Sequence, residues 1–68
     1  MTSAANVTRR QLQIARLLAQ GFTQKEIAVK LGINRRTVAF HISTMCGMWM
    51  VKNTVELIAV LYENEILM

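Results

Sequence analysis

The predicted first turn of one helix carries two arginines and a threonine, Arg35, Arg36 and Thr37. The N-terminal end of a helix carries a partial positive charge and unpaired amides, so it attracts phosphate groups. Thr23 and Lys25 stand at the predicted start of the preceding helix, where they could hold a second phosphate strand. This pattern predicts a surface that binds a phosphate backbone.

The outward side of the same helix is predicted to carry Arg36, Ala39, Phe40 and Ser43. A helix with such a surface can enter the major groove of DNA, where phosphate contacts position the protein and base contacts specify the sequence. The predicted DNA-binding residues are Thr23, Lys25, Asn34, Arg35, Arg36, Thr37, Ala39, Phe40 and Ser43. Paired arginines on a first helical turn are also common as plain solvated charge, so the pair alone does not decide the function.

The other reactive residue types do not form a recognisable site. No acid pair, glycine-rich phosphate loop or nucleophile with a neighbouring base is present, so neither an enzyme nor a cofactor or metal is predicted. His41 lies on an apolar stripe without a second ligand at metal spacing, which favours a packed core histidine. Cys46 has no base on its helix face, which favours a buried, unreactive thiol.

A helix-turn-helix over residues 23–42 is predicted to position the basic residues. Thr23 and Glu26 match a capping box, in which each side chain bonds the backbone amide of the other residue. Gly32 is predicted to end this helix, and Asn34 is predicted to cap the next one. Apolar residues recur at helical spacing along the second helix and form its predicted buried stripe: Val38, His41, Ile42, Met45 and Trp49.

An earlier helix is predicted from about residue 9 to residue 20, with Thr8 as its N-cap and Gly21 just after its end. No long alternation of apolar and polar residues occurs, so a sheet is not predicted. The expected fold is all-α, with four helices that include the helix-turn-helix. The 68 residues are expected to form a single domain whose first seven residues are flexible.

The last helix is predicted to start after Asn53 or Thr54 and to run to about Asn64. Its apolar residues cover more than one face, although the core of a small domain needs only one. The second face therefore predicts a protein contact. Its residues are Val55, Ile58, Ala59 and Tyr62.

Charge and composition narrow the class of partner. The net charge is +4, but eight basic residues and one acid lie in residues 1–52, whereas three acids lie in residues 53–68. A basic body favours a polyanionic partner. No apolar run approaches the roughly 20 residues of a membrane span, and the N-terminus lacks the pattern of a signal peptide. With Cys46 as the single cysteine, these features predict a cytoplasmic protein without a membrane partner.

From Val7 to Leu57 the chain resembles the DNA-binding domain of the LuxR/FixJ/GerE family of bacterial transcription regulators. The family pattern L-T-x-R-E, then x-E-V-L-x-L-L-A-x-G, corresponds here to VTRRQ followed by LQIARLLAQG. The pattern S-x-K-E-I-A-x-x-L-x-I corresponds to the segment that begins at Thr23 and ends at Ile33. The pattern S-x-x-T-V-K-x-H corresponds to the segment from Asn34 to His41.

The resemblance implies a tetrahelical helix-turn-helix whose fourth helix commonly mediates dimerisation. It therefore implies a homodimer through the second apolar face of the last helix, with double-stranded DNA as the main partner. RNA polymerase or another regulator is a further expected partner. Most family members also carry a regulatory domain, so the chain resembles the stand-alone members or a piece of a longer protein.

This chain departs from the family pattern at the groove-facing positions. The lysine that usually follows T-V is Ala39 here, and the basic residue near the helix end is Met48. The base-contacting positions of family members fall at Ala39, Phe40 and Ser43, and none of these is charged. DNA contact is therefore expected to depend more on Arg35, Arg36 and Lys25 than is usual in the family.

Two functions remain open from the sequence. The first is a sequence-specific DNA-binding regulator that acts as a homodimer on a two-part site. The alternative is a protein-interaction module or anti-activator that pairs with a larger regulator through its last helix. The missing lysines and the apolar residues Phe40, Met48 and Met50 favour that alternative.

Overall fold

The computed structural model describes residues 7–67. In this range the helices are α1 (Arg9–Ala19), α2 (Gln24–Leu31), α3 (Arg35–Trp49) and α4 (Thr54–Glu63), and no strand occurs. The predicted all-α fold is therefore confirmed. The prediction that residues 1–7 are flexible falls outside the described residues except at Val7. None of the four helices is long and apolar enough to cross a membrane.

Each helix begins at a polar residue whose side chain accepts a hydrogen bond from a first-turn amide. These N-caps are Thr8, Thr23, Asn34 and Asn53, and the sequence predicts all of them, with Asn53 as one of two alternatives. Thr8 also forms a capping box with Gln11, in which both hydrogen bonds measure 3.1 Å. The sequence prediction lacks this second box, although its T-x-x-Q spacing carries the signal.

Two of the four helices end at glycine, and after the other two a residue with a Cβ takes the left-handed conformation, Met50 after α3 and Glu65 after α4. The chain leaves α1 at Gly21 (φ +98°) and α2 at Gly32 (φ +67°), as glycine predicts. By contrast, α3 runs through Gly47 to Trp49, and its C-cap Met50 adopts the left-handed conformation with φ +57°. A side chain with a Cβ is strained in that conformation, so the end of α3 is held by its surroundings.

The core is centred on α3, which contacts each of the other three helices, whereas α2 and α4 do not touch. On α3, the side chains of Val38, Ile42 and Met45 are buried, as predicted. His41 and Trp49 are only half-buried, because His41 lies at the edge of the stripe and Trp49 is the last residue of α3. The buried apolar residues are Ile14, Ala15, Ile27, Ala28, Val38, Ile42, Met45, Leu57, Leu61 and Leu67.

The segment after α4 folds back onto the core. Glu65 adopts a positive φ of +60°, and the Ile66 amide donates a hydrogen bond to the Leu61 carbonyl at 2.9 Å. This reversal places Leu67 in the core, where the leucine is 9% exposed. The sequence prediction ends the last helix near Asn64 and assigns no structure beyond it, so the contribution of Leu67 is new.

Candidate nucleic-acid interface

A three-residue turn connects α2 to α3 and fixes the angle between them. Gly32 takes a left-handed φ of +67°, and the amide of Ile33 then donates to the Ala28 carbonyl at 3.0 Å. Ile33 is half-buried against the core. Because one end of the turn is fixed by backbone bonds and the other by packing, α3 starts in a defined direction. This geometry is that of a helix-turn-helix.

The first turn of α3 is already partly capped by the protein itself. The Asn34 Oδ1 atom accepts a hydrogen bond from the Arg36 amide at 2.7 Å. The Thr37 and Val38 amides both donate to the Asn34 carbonyl, at 2.9 and 3.1 Å. Fewer first-turn amides are therefore open to phosphate than the sequence alone suggests. An anion at this end would be held mainly by side chains and by the helix dipole.

The first turn of α2 carries a complete capping box. The Thr23 Oγ1 atom accepts from the Glu26 amide at 3.1 Å, and the Thr23 amide donates to Glu26 Oε1 at 2.9 Å. Thr23 is thus a structural cap as well as a predicted DNA contact, and Lys25 is exposed on the same turn. The first turn of α2 therefore carries one positive side chain, Lys25, and one negative side chain, Glu26, which bonds the Thr23 amide.

The predicted DNA-binding residues share one property, which is access to solvent. Ala39 is half-buried. The other eight are exposed, namely Thr23, Lys25, Asn34, Arg35, Arg36, Thr37, Phe40 and Ser43. Four residues of α3 and its cap line a shallow surface depression, namely Asn34, Arg36, Thr37 and Phe40. The outward side of α3 therefore combines polar and cationic side chains with one exposed aromatic ring.

His41 and Cys46 lie apart from this surface chemistry. The rings of His41 and Phe40 meet edge to face with their centroids 6.0 Å apart. Residues 7–67 contain no cluster of His, Cys, Asp and Glu that could hold a metal ion. Burial, and to a lesser extent the negative charge of Glu56, raises the pKa of the Cys46 thiol. A raised pKa keeps the thiol protonated, so Cys46 is a poor nucleophile near neutral pH.

One basic side chain outside the predicted set has a defined partner. The Lys30 Nζ atom lies 4.8 Å from the centre of the Phe22 ring, which is a cation–π geometry. The sequence gives no local signal for this contact, because the two residues belong to different elements. Lys30 therefore contacts the α1–α2 connection through Phe22. Both Lys30 and Lys25, at opposite ends of α2, are exposed.

The predicted protein-contact face on α4 is accessible to solvent. Val55 is 78% exposed and Tyr62 is 48% exposed, while Ala59 is exposed and Ile58 is half-buried. A groove between α1 and α4 runs beside this face, and its lining includes Leu18 together with Val55 and Ile58. The last helix therefore has a second apolar face that is accessible to solvent.

The sequence that forms these helices matches one protein family. The family described as bacterial regulatory proteins, luxR family, matches residues 5–61, which include α1, α2, α3 and most of α4. The chain therefore belongs to the luxR family of bacterial regulatory proteins, and its helix-turn-helix is the DNA-binding fold of that family. Membership confirms the resemblance seen in the residues and identifies a regulator rather than an enzyme.

Two curated relatives are similar to this chain. They are the transcriptional regulatory protein UhpA of Escherichia coli strain K12 and the protein of the same name from Salmonella typhimurium strain LT2. Each is 43% identical over 51 residues, a match that covers 75% of this chain and 26% of the relative. The chain thus spans about a quarter of the length of these relatives.

Proposed function

We propose that this chain binds specific double-stranded DNA and regulates transcription, with α3 in the major groove. The supporting observation is the division of α3 into two faces. Val38, Ile42 and Met45 fill the core, while the arginines of the first turn and the outward stripe stay exposed. A helix fixed by the core on one side can present the other side rigidly to a groove.

The proposed contacts divide by chemistry. Arg35, Thr37, Thr23 and Lys25 bind phosphates on the two sides of the groove and set the register. The base-contacting residues are Arg36, Ala39, Phe40 and Ser43. Asn34 holds the first turn of α3 in place through its cap and lies beside the bound backbone.

Salt dependence tests the phosphate contacts. In an anisotropy titration against a mixed-sequence duplex, the slope of log affinity against log salt is expected to be about −0.9 for each phosphate neutralised. Arg35→Ala should make this slope shallower by about 0.9. Arg36→Ala removes a base contact instead, so it should weaken the preference for a selected sequence over the mixed sequence by about tenfold, since base contacts contribute about 1–3 kcal/mol each.

Arg16→Ala is the matched control, because it removes the same charge from a different surface. Arg16 is exposed and lines a depression with Gln20, Tyr62 and Leu67, on the side of α1 and α4. The slope of log affinity against log salt for Arg16→Ala should stay close to that of the unchanged chain. Equal slopes for all three variants, or no affinity for DNA at low salt, would contradict the proposal.

A homodimer through α4 is the second part of the proposal. The apolar face on α4 supports it, because Val55 and Tyr62 remain exposed although the core is already closed by Leu57 and Leu61. A two-fold dimer would present two copies of α3 to two half-sites on one side of the duplex. Binding to both half-sites would then be cooperative.

Sedimentation equilibrium with Val55→Glu tests this interface. Val55 is 78% exposed, so a glutamate there leaves the core intact, and it should shift the dimer toward monomer. Val29→Glu is the matched control, because Val29 is 76% exposed on α2 and carries no role in the proposed dimer. An unchanged chain that stays monomeric at high concentration, or a Val55→Glu variant that dimerises normally, would rule out this interface.

The alternative function is a protein-interaction module that pairs with a larger regulator. The apolar residues on the C-terminal part of α3 support it, because Met50 is 91% exposed and Met48 is 41% exposed. This alternative predicts tight capture of a full-length regulator together with no DNA binding at low salt. The same titration therefore separates the two functions.

A further inference from the structure

Phe40 is the one strongly apolar side chain on the outward stripe of α3, and it is 67% exposed. Its ring meets the ring of His41 edge to face, with 6.0 Å between the centroids. A single exposed apolar residue is common on protein surfaces. Phe40 differs from such residues because it lies within the proposed DNA-binding surface.

The neighbours of Phe40 define what the ring can meet. It shares a surface depression with Asn34, Arg36 and Thr37, and Ser43 follows it on the same exposed stripe. A partner seated here has to satisfy one cation and several polar groups and also offer something apolar to the ring. The floor of the DNA major groove has this composition, because its base edges are polar except for the C5-methyl group of thymine.

A protein partner matches this surface less well. The nearest large exposed apolar residues along the chain are Met48 in the last turn of α3 and its C-cap Met50, and both lie two or more turns beyond Phe40. A protein-docking patch is normally a contiguous apolar area. Phe40 is instead surrounded by polar side chains, so the geometry favours a ligand that carries a small apolar group.

We propose that Phe40, together with the half-buried methyl group of Ala39, contacts the C5-methyl group of a thymine in each half-site. The inference rests on the proposed function, and it names a chemical group that the binding site selects. This apolar contact takes the place of the lysine that the family pattern has at position 39. Specificity there comes from excluding water from a methyl group rather than from a hydrogen bond.

Replacing thymine by deoxyuridine tests the contact, because it removes only the C5-methyl group and leaves base pairing intact. Duplexes that bind the full chain are first selected from a random pool. Each thymine of a selected half-site is then replaced singly, and Kd is measured by anisotropy at constant salt. At one thymine of each half-site, the replacement should raise Kd about three- to fivefold, as expected for the loss of one buried methyl group.

The protein variants assign the effect to Phe40. Phe40→Ala should lose most of the difference in Kd between the thymine and deoxyuridine duplexes, because only the small methyl group of Ala39 is left to contact the thymine methyl group. Phe40→Leu should keep most of the discrimination. Val29→Ala, which truncates another exposed apolar residue, should discriminate like the unchanged chain.

Each failure has a distinct meaning. Selected duplexes whose Kd does not change with any deoxyuridine overturn the thymine contact and leave the proposed function standing. The same conclusion follows if Phe40→Ala discriminates between the two bases as strongly as the unchanged chain does. If Phe40→Ala leaves DNA affinity unchanged and abolishes capture of a protein, that protein is the occupant and the inference is wrong. A chain that binds no duplex at low salt overturns both the inference and the proposed function.

Discussion

Asn34 and Asn53 perform the same structural task on two different surfaces. Each begins a helix and accepts a first-turn amide hydrogen bond through Oδ1, Asn34 from Arg36 at 2.7 Å and Asn53 from Glu56 at 2.9 Å. Asn34 borders the proposed DNA surface, whereas Asn53 lies at the start of α4. The pair therefore offers a way to separate a capping role from a DNA-binding role.

Asn34→Asp should weaken DNA binding about tenfold and leave stability nearly unchanged. Aspartate caps a helix about as well as asparagine, but its negative charge would lie next to a phosphate. Urea denaturation and an anisotropy titration measure the two quantities. Asn53→Asp is the control, since it makes the same change at the other cap and should leave DNA affinity intact. Equal losses of affinity in both variants would contradict the placement of the DNA.

At the residue scale, the sequence predicts the caps because their signals are local. Thr23 and Glu26 stand at a fixed spacing, and their bonds form between neighbours in the chain. The degree of burial of His41 and Trp49 is less predictable, because it depends on where other helices end. The contact of Lys30 with Phe22 also depends on tertiary structure, so no sequence spacing predicts it.

The C-terminal end of α3 places a residue with a Cβ in the left-handed conformation. Met50 holds a φ of +57° and is 91% exposed, so packing of its own side chain does not compensate the strain. The hydrogen bond from the Val51 amide to the Cys46 carbonyl, at 3.0 Å, holds the turn. Glycine at position 50 would form the same turn without a Cβ.

Met50→Gly is expected to raise the free energy of unfolding by about 0.5–1 kcal/mol. The left-handed conformation costs a residue with a Cβ about 1–2 kcal/mol, and the greater freedom of glycine in the unfolded chain offsets part of that gain. Met48→Gly is the control, because position 48 lies inside the helix and should lose about 1 kcal/mol or more. Urea denaturation measures the free energy of unfolding of both variants. A destabilised Met50→Gly variant would show that Met50 makes favourable contacts.

At the element scale, the sequence predicts the order and number of the helices, because periodic apolar residues and polar caps agree. Gly21 and Gly32 mark two helix ends. The end of α3 is harder to predict, because Gly47 suggests an earlier break and Met50 carries no signal for a left-handed turn. The cap at Met50 forms because Val51 packs against the core, which is a tertiary cause.

Across the whole molecule, the small core depends on residues outside the helices. A domain of this size buries only roughly 60% of the surface of its unfolded chain, so each core side chain carries a large share of the stability. Leu67 lies beyond α4 and is nevertheless 9% exposed. It reaches the core because the chain reverses at Glu65, a step that the periodicity of α4 does not predict.

Leu67→Ala should lower the free energy of unfolding by about 2–3 kcal/mol, as expected for truncation of a buried leucine. Val29→Ala is the control, because Val29 is 76% exposed and its truncation should change stability by less than about 0.5 kcal/mol. Thermal and urea unfolding measure both variants. A Leu67→Ala variant as stable as the unchanged chain would mean that the segment after α4 does not contribute to the core in solution.

The central position of α3 has a consequence for how this protein can change over generations. Because Val38, Ile42 and Met45 are buried in the core, most substitutions there would destabilise the fold whatever DNA the protein binds. Phe40 and Ser43 are exposed, so under the proposed function substitutions there would leave folding intact and alter the preferred DNA sequence. Target choice can therefore drift through a few positions of one helix while the inherited architecture stays constant.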